Sequence, residues 1–388
     1  MTRFAIAIAL GILGVLSGSA TACPFCAAEG QTFATELGQA QMVLVARPIQ
    51  ADLDKDTCEI EVETVIKDNA VRGKKLRFVL NKYIDPMPLG TKGKFILFCE
   101  MYKDKLDAYR GMFIKDGSKL PAYCQEVLKL QGKPFATRLE TFFTYLDNPD
   151  LDISGDAYKE FAYADYKEFR AMAKSLPAEK ILKWIKSPDT PAVRMGLYAS
   201  MLGHCGKAEH ASALRAILDD TDRRAGSGID GTLAGYVMLA PKEGWDYTLG
   251  VLRNPKEDFY FRYAILRGVR FLYDYRPDLI SKKQIVEGLC LLLDQKDIAD
   301  LAIEDLRRWQ HWEVADKILA IEKTTVYDQP IVKRSMLRYA LQCKNSAAAT
   351  AYVAARRKAD KEAVEDAQEL LDLETANAKK PADATKKK

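Results

Sequence analysis

The segment Asp189–Asp220 reads DTPAVRMGLYASMLGHCGKAEHASALRAILDD. Its opening Asp-Thr-Pro is a helix start, and the run Leu202–Gly206 contains two glycines that end this first helix. A second helix follows over Ala208–Leu218 and stops at Asp219-Asp220. The segment therefore predicts two helices joined by a short turn.

The same unit recurs along the second half of the chain. Counted from Val193, comparable helix starts follow at intervals of 36, 32, 37 and 34 residues, near Ile229, Phe261, Ile298 and Val332. A repeated helix pair buries its apolar face by stacking on its neighbours. The period therefore predicts an α-solenoid over residues 134–375.

The residues of this unit resemble a HEAT-type repeat. Val193-Arg194 stands early in the first helix and Leu202-Gly203 stands at its end. Phe261–Ala264 and Val332–Arg334 repeat the same entry. The resemblance implies protein–protein contact along a concave surface of the solenoid.

Residues 42–114 alternate between apolar and polar side chains, as strands do. In Cys58–Glu63 the glutamates share one face, which places Cys58 inward with Ile60 and Val62. About five short strands, with one helix ahead of them near residues 32–40, predict a small closed or nearly closed OB-like β-barrel. We assign residues 23–130 to this domain.

The first 22 residues have the order of a secretory signal peptide. A basic start is followed by the apolar run Phe4–Leu16 and the cleavage site Ala20-Thr21-Ala22. We therefore expect an exported chain, periplasmic or extracellular, that begins at Cys23 and has no membrane span after cleavage. Lipid anchoring at Cys23 is less favoured, because Ala20 stands where a lipobox prefers leucine.

The first domain also resembles a netrin-like module, the group that includes the tissue inhibitors of metalloproteinases. The resemblance covers about residues 23–125 and rests on an N-terminal cysteine, a helix, the strand Gln41–Arg47 and later cysteines. Family inhibitors open Cys-x-Cys, whereas this chain opens Cys23-Pro24-Phe25-Cys26. By this analogy Cys23 pairs with Cys99 and Cys26 pairs with Cys124.

The two N-terminal cysteines leave three roles open. We favour disulfide bonds to cysteines downstream in the same domain. The second hypothesis is a redox-active Cys23-x-x-Cys26 pair. A reactive thiolate of this kind needs a helix N-terminus inside a thioredoxin-like fold. In the third hypothesis, the α-amine of Cys23 binds the catalytic zinc of a metalloprotease.

Histidines and aromatic residues supply the remaining candidate sites. His204, Cys205 and His210 are zinc-ligand types that lack a fourth partner, so we predict neither a metal nor another cofactor. Aromatic residues cluster within 158–169 and 259–275, where core packing competes with a role as a contact platform. A surface hot spot is predicted at Trp309, His311 and Trp312.

The net charge and the absence of catalytic motifs limit the classes of function that the chain can have. The net charge of +4 equals the surplus of the Lys-rich tail, residues 376–388, which we expect to be disordered. The near-neutral body gives no case for nucleic-acid binding, while the tail lysines suit an anionic cell-envelope polymer. Phosphate-loop, nucleophile-elbow and zinc-helix motifs are absent, so an enzyme is not expected.

We therefore expect an exported, non-catalytic scaffold that binds a protein partner through the solenoid. The alternatives are a protease inhibitor that acts through Cys23 and a thiol oxidoreductase that uses Cys23 and Cys26. The sequence does not identify the protein partner.

Overall fold

The computed structural model describes residues 25–26, 30–81, 93–102, 105–224, 226 and 228–378. The chain packs as two compact units, of which the first ends at Pro177 and the second begins at Ala178. The signal segment, Cys23 and residues 379–388 lie outside the described residues. Within the described part, no helix is long and apolar enough to cross a membrane.

Five antiparallel strands form the sheet of the first unit in the order β3-β2-β1-β4-β5. The strands are β1 (Met42–Asp52), β2 (Thr57–Lys67), β3 (Arg77–Leu80), β4 (Gly93–Tyr102) and β5 (Lys105–Lys115). The central strand β1 pairs with both β2 and β4, with Val45 opposite Ile96. The alternation in the sequence predicted these five strands, and the structure confirms them.

One face of the sheet carries a continuous apolar cluster. Cys58 lies there with Ile60 and Val62, as the alternation predicts. The buried members of the cluster are Met42, Leu44, Ala46, Cys58, Ile60, Val62, Leu80, Leu97, Cys99, Leu106 and Ala108. Packing of one face by side chains of period two fixes the strand register, because a slip of one residue would move the whole set out of this cluster to the opposite face.

The sheet does not close into the predicted barrel. The edge strands β3 and β5 approach each other, but no hydrogen-bond ladder joins them among the described residues. β3 has four residues, and among the described residues its ladder with β2 spans Cys58–Glu61. A strand this short satisfies one neighbour and leaves its second edge unpaired, so the first unit is an open α+β sheet.

The described part of the first unit also contains five α-helices, of which the first two pack on the other face of the sheet. They are α1 (Phe33–Gln39), α2 (Leu120–Lys129), α3 (Phe135–Phe143), α4 (Leu151–Ala162) and α5 (Tyr166–Ala173). The ring of Phe33 stacks on Phe98 of β4 at 6.2 Å and meets Tyr123 of α2 edge-on at 6.3 Å. This aromatic contact packs α1 against both the sheet and α2.

Hydrogen bonds from α4 hold the segment that follows Cys26. The carboxylate of Asp156 accepts from the backbone N–H of Phe33 and from the hydroxyl of Tyr123, each at 2.7 Å. The hydroxyl of Tyr163 donates to the carbonyl oxygen of Gly30 at 2.7 Å. The chain from Gly30 to Phe33 is therefore held by non-covalent contacts.

Asp156 belongs to a group of three buried carboxyl groups. Burial raises the pKa of Asp156 to about 7, while the hydrogen bonds from Phe33 and Tyr123 oppose that rise. Burial also raises the pKa of Glu160, which pairs with Arg138 at 2.9 Å, and that of Glu36, which pairs with Arg110. Proton binding to this group is therefore coupled to the folding of the first unit.

Among the described cysteines, neither of the two downstream partners that the netrin-like resemblance implied forms a disulfide. Cys99 and Cys124 are fully buried free thiols. Cys99 lies in the apolar cluster on one face of the sheet, whereas Cys124 lies on α2, which covers the other face. Each thiol is therefore packed as a small apolar side chain.

The second unit is helical. Its helices are α6 (Ala178–Lys186), α7 (Ala192–Cys205), α8 (Ala211–Asp219), α9 (Thr221–Arg224), α10 (Ile229–Leu239), α11 (Pro241–Arg253), α12 (Phe259–Tyr275), α13 (Lys282–Leu289), α14 (Ala299–Arg308), α15 (Ala315–Ala320), α16 (Pro330–Gln342), α17 (Ala347–Ala359) and α18 (Lys361–Ala378). The observed starts of α7, α10, α12, α14 and α16 lie within two residues of the predicted ones.

Alternate helices of the second unit contact one another in series, and we call them the first layer. The first-layer helices are α7, α10, α12, α14, α16 and α18. Between α7 and α10 the backbones come very close, because a Cβ placed on Gly231 would lie 2.4 Å from the carbonyl oxygen of Gly196. A larger residue at 231 would force the two helices apart.

We predict that Asp156→Asn weakens the pH dependence of the stability of the first unit. The folded-state pKa of Asp156 is raised, so its contribution to stability is present below the unfolded pKa near 4 and is lost as the pH rises towards 7. Relative to wild type, the variant should lose about 2–4 kcal/mol less on going from pH 4 to pH 7. Hydrogen exchange of residues 33–39 in urea measures this difference.

The exposed carboxyl group of Asp152 on the same helix supplies the matched control, Asp152→Asn. The stability of the Asp152→Asn variant should depend on pH in the same way as that of wild type. An equal loss of stability between pH 4 and pH 7 in wild type and Asp156→Asn would contradict the prediction.

We also predict the order in which the thiols react with iodoacetamide in the folded chain. Burial raises the pKa of Cys99 to about 12 and that of Cys205 to about 11, and Cys205 is half-buried whereas Cys99 is enclosed. Only the exposed thiolate reacts, so Cys205 should be labelled well before Cys99 or Cys124.

Peptide mass spectrometry after timed labelling gives this order. A sample denatured without reductant should label Cys99 and Cys124 completely. Protection that persists after denaturation would reveal a disulfide and contradict the assignment of free thiols.

Candidate functional site

One stripe of α12 carries an exposed tyrosine beside arginines. Tyr260, Tyr263, Arg267 and Arg270 stand three or four positions apart, so they share one side of the helix. The side chain of Tyr260 is 76% exposed, although it is large and apolar over most of its surface. Such a residue on a packed helix is a candidate contact for a partner.

Local sequence explains why this side of α12 faces outward. The carboxylate of Asp258 caps the helix by accepting from the backbone N–H of Phe261 at 3.0 Å. The opposite side is buried and mostly apolar, with Phe261, Ile265 and Leu272 among its members. Burial of that side leaves the tyrosine and arginine stripe at the surface.

Three rings at the start of α12 form an aromatic patch, defined here as Phe259, Tyr260 and Tyr263. Phe259 stacks on Tyr263 with ring centroids 6.1 Å apart and meets Tyr260 edge-on at 5.4 Å. Aromatic pairs in these geometries hold each other in place. The patch is therefore an ordered surface.

Two buried carboxylates position the arginines next to this patch. The Nε of Arg267 donates to Asp230 of α10 at 2.8 Å, and the Nε of Arg270 donates to Asp305 of α14 at 2.7 Å. The side chains of Asp230 and Asp305 are only 1% and 4% exposed. Both guanidinium carbons lie about 6 Å from the ring centre of Tyr263, within the range of cation–π attraction.

Close packing of α12 on α10 brings the first of these pairs together. A Cβ placed on Gly268 would lie 3.0 Å from the carbonyl oxygen of Asp230, so glycine permits this approach. Burial raises the pKa of Asp305, and Arg270 opposes the rise. Each acid thus needs its arginine, and each arginine is held in one position.

A held arginine is suited to binding. The Arg267 side chain remains 46% exposed while its Nε and one Nη are occupied by Asp230. A side chain that is already ordered loses little rotamer entropy when a partner docks. Tyrosine and arginine are also the residue types most enriched in binding hot spots. Together, the patch and Arg267 can anchor a protein surface.

The structure brings the predicted hot-spot residues together in one turn after α14. Trp309 stacks on Tyr273 of α12 with centroids 3.6 Å apart, and His311 shares a 2.8 Å hydrogen bond with the Tyr273 hydroxyl. Trp312 meets Tyr339 of α16 edge-on at 5.1 Å. All three are half-buried, and these contacts connect α12, α14 and α16.

Trp312 also lines a cleft between α14, α16 and α18, which we call the terminal cleft. Its volume is about 640 Å³. Its lining residues are Arg307, Arg308, Gln310, Trp312, Leu341, Gln342, Lys344, Gln368, Leu371, Asp372, Glu374 and Thr375. Trp309 and His311 are not among them.

His204, Cys205 and His210 do not form a ligand set. The Nδ1 of His210 accepts from the backbone N–H of Lys207 at 2.9 Å, and its Nε2 lies 3.1 Å from Glu179. The thiol of Cys205 donates to the carbonyl oxygen of Met201 at 3.2 Å. Among the residues that the structure describes, no three histidine, cysteine or acidic side chains are placed to hold a metal.

The sequence marked residues 259–275 as aromatic without separating core from surface. The structure makes the separation, because Phe261, Phe271 and Tyr273 are buried while Tyr260 is exposed. The helical spacing of Tyr260, Tyr263 and Arg267 was a usable signal. No such signal identified Asp230 and Asp305, because the sequence does not distinguish a buried acid from an exposed one.

Comparisons of the chain with protein-family models, with curated proteins and with solved structures found no match. The candidate site therefore rests on the geometry of its residues.

Proposed function

We propose that the chain is an exported scaffold whose second unit, a HEAT-like α-solenoid, binds a protein partner. The main support for this proposal is the exposure of Tyr260. Its side chain is 76% exposed and lies next to rings and guanidinium groups that are already held in place. The stacked first layer supports the proposal, because repeated helices of this kind present an extended surface. The aromatic patch and Arg267 form the anchor on that surface.

The balance of charges around the anchor suits a partner surface that combines an apolar centre with polar groups. Arg267 and Arg270 are matched by Asp230 and Asp305, so the stripe carries little net charge. The Tyr260 ring supplies area that a partner can bury, and the remaining N–H groups of Arg267 can donate to carbonyl oxygens. Export remains part of the proposal on the strength of the signal-like segment 1–22.

The alternative functions through the N-terminus are not developed further. Both the protease inhibitor and the thiol oxidoreductase depend on Cys23, which lies outside the described residues. They stay predictions from the sequence.

A photo-crosslinking residue at position 260 tests the proposal in the native host. We expect one reproducible protein neighbour that is captured from position 260. The same probe at Leu53, which is 72% exposed in the first unit, is the control. The same set of neighbours from both positions, or none from position 260, would overturn the proposal.

The captured neighbour then allows a binding measurement. Tyr260→Ala should weaken its affinity about 30-fold, since truncation of an aromatic hot spot costs about 2 kcal/mol. Leu53→Ala, in the first unit, should leave the affinity unchanged. Equal affinities of wild type and Tyr260→Ala in calorimetric titration would remove Tyr260 from the interface.

A further inference from the structure

The terminal cleft combines three kinds of side chain that are suited to a peptide. Trp312 forms one wall, and Leu341 and Leu371 add apolar surface. Arg308 and Lys344 stand exposed at the cleft. The volume of about 640 Å³ exceeds what one small anion fills.

The cations of the cleft differ in how they are used. Arg307 is 3% exposed and is bound by Glu304, Glu374 and Gln342. Arg308 and Lys344, in contrast, make no ion pair with any residue in the described part of the chain. Their charges are therefore available to an incoming group.

The two acids of the cleft differ, because one is paired with arginines and the other only with an amide. Glu374 accepts from Arg307 at 3.0 Å and also pairs with Arg338. Asp372 accepts from the Nε2 of Gln368 at 2.9 Å. An anion that enters the cleft thus meets two cations that form no ion pair among the described residues, although Arg308 also attracts the buried Asp305. Of the two carboxylates, Glu374 is neutralised by arginines and Asp372 keeps its charge.

Amide side chains complete the lining. Gln342 uses its oxygen to accept from Arg307 at 2.8 Å, and Gln368 uses its nitrogen to bond Asp372. The opposite ends of both amides make no hydrogen bond among the described residues. An amide offers the same donors and acceptors as a peptide backbone, so these groups can pair with an extended chain.

We propose that the terminal cleft binds an extended segment of a partner protein that carries aspartate or glutamate side chains. Arg308 and Lys344 hold the carboxylates, the glutamines pair with the backbone, and Trp312 packs against the chain. The Lys-rich segment that follows α18 has the wrong sign of charge for this rim. The site is separate from the aromatic patch and does not depend on it.

Fluorescence anisotropy of labelled hexaglutamate with the full chain tests this site at low ionic strength, where charge contacts are least screened. Wild type should bind hexaglutamate and should not bind hexaglutamine. The double variant Arg308→Gln with Lys344→Gln should weaken binding at least about tenfold, the loss expected for charge-assisted hydrogen bonds. Both side chains are exposed, so the fold should be kept.

Three further proteins separate the cleft from other sources of binding. Arg253→Gln with Lys256→Gln removes one exposed arginine and one exposed lysine elsewhere and should bind like wild type. Replacement of the five lysines in 379–388 by glutamine should leave the cleft effect in place. Tyr260→Ala should bind hexaglutamate normally, which keeps this test apart from that of the scaffold.

Several outcomes would overturn the inference. The first is a failure of the wild-type chain to bind hexaglutamate. An equal loss in the Arg253 and Lys256 double variant would show general charge attraction. Binding that disappears only with the tail lysines would place the anion on the tail.

Discussion

Asp230 and Asp305 lie buried on either side of α12, and their charges must be compensated where they stand. The groups that do so are Arg267 and Arg270, one helical turn apart on α12. A buried carboxylate that loses its partner costs about 3–5 kcal/mol, so α12 is confined to the register that keeps both pairs. Tyr263 lies close to both guanidinium groups, and Tyr260 follows on the same side. The candidate surface thus derives its order from charges beneath it.

The N-terminal segment of the first unit is held in a different way. The Cys-Pro-Phe-Cys stretch suggested a covalent staple, yet the chain that follows it is held by Asp156 and Tyr163 of α4. Cys124 lies on α2 next to Tyr123 and serves the packing there. Hydrogen bonds of this kind respond to protonation of Asp156, whereas a disulfide responds to the redox state of the compartment.

The sequence predicted those features that depend on local periodicity. Alternation in Cys58–Glu63 identified the buried face of β2, and the repeat of Asp189–Asp220 located the first-layer helices other than α18. Barrel closure depends on how far β3 reaches along its neighbours, which no single segment encodes. The pairing of Asp230 with Arg267 joins residues 37 positions apart, and the chain contains many acids and bases that could have met instead. Trp309 and Trp312 were recognised as a pair, but their division between the α12 contact and the terminal cleft required the fold.

The compensation of Asp230 also restricts which partners α12 can accept. A partner carboxylate that drew Arg267 towards itself would strand Asp230 in a site that water does not reach, and the penalty would cancel much of the new attraction. A partner that uses the outer N–H groups of Arg267, or the face of its guanidinium plane, leaves the inner pair intact. The buried pair therefore favours neutral acceptors and aromatic rings over strong acids at this position. The acidic segment proposed for the terminal cleft would instead meet the exposed Arg308 and Lys344, which form no ion pair among the described residues.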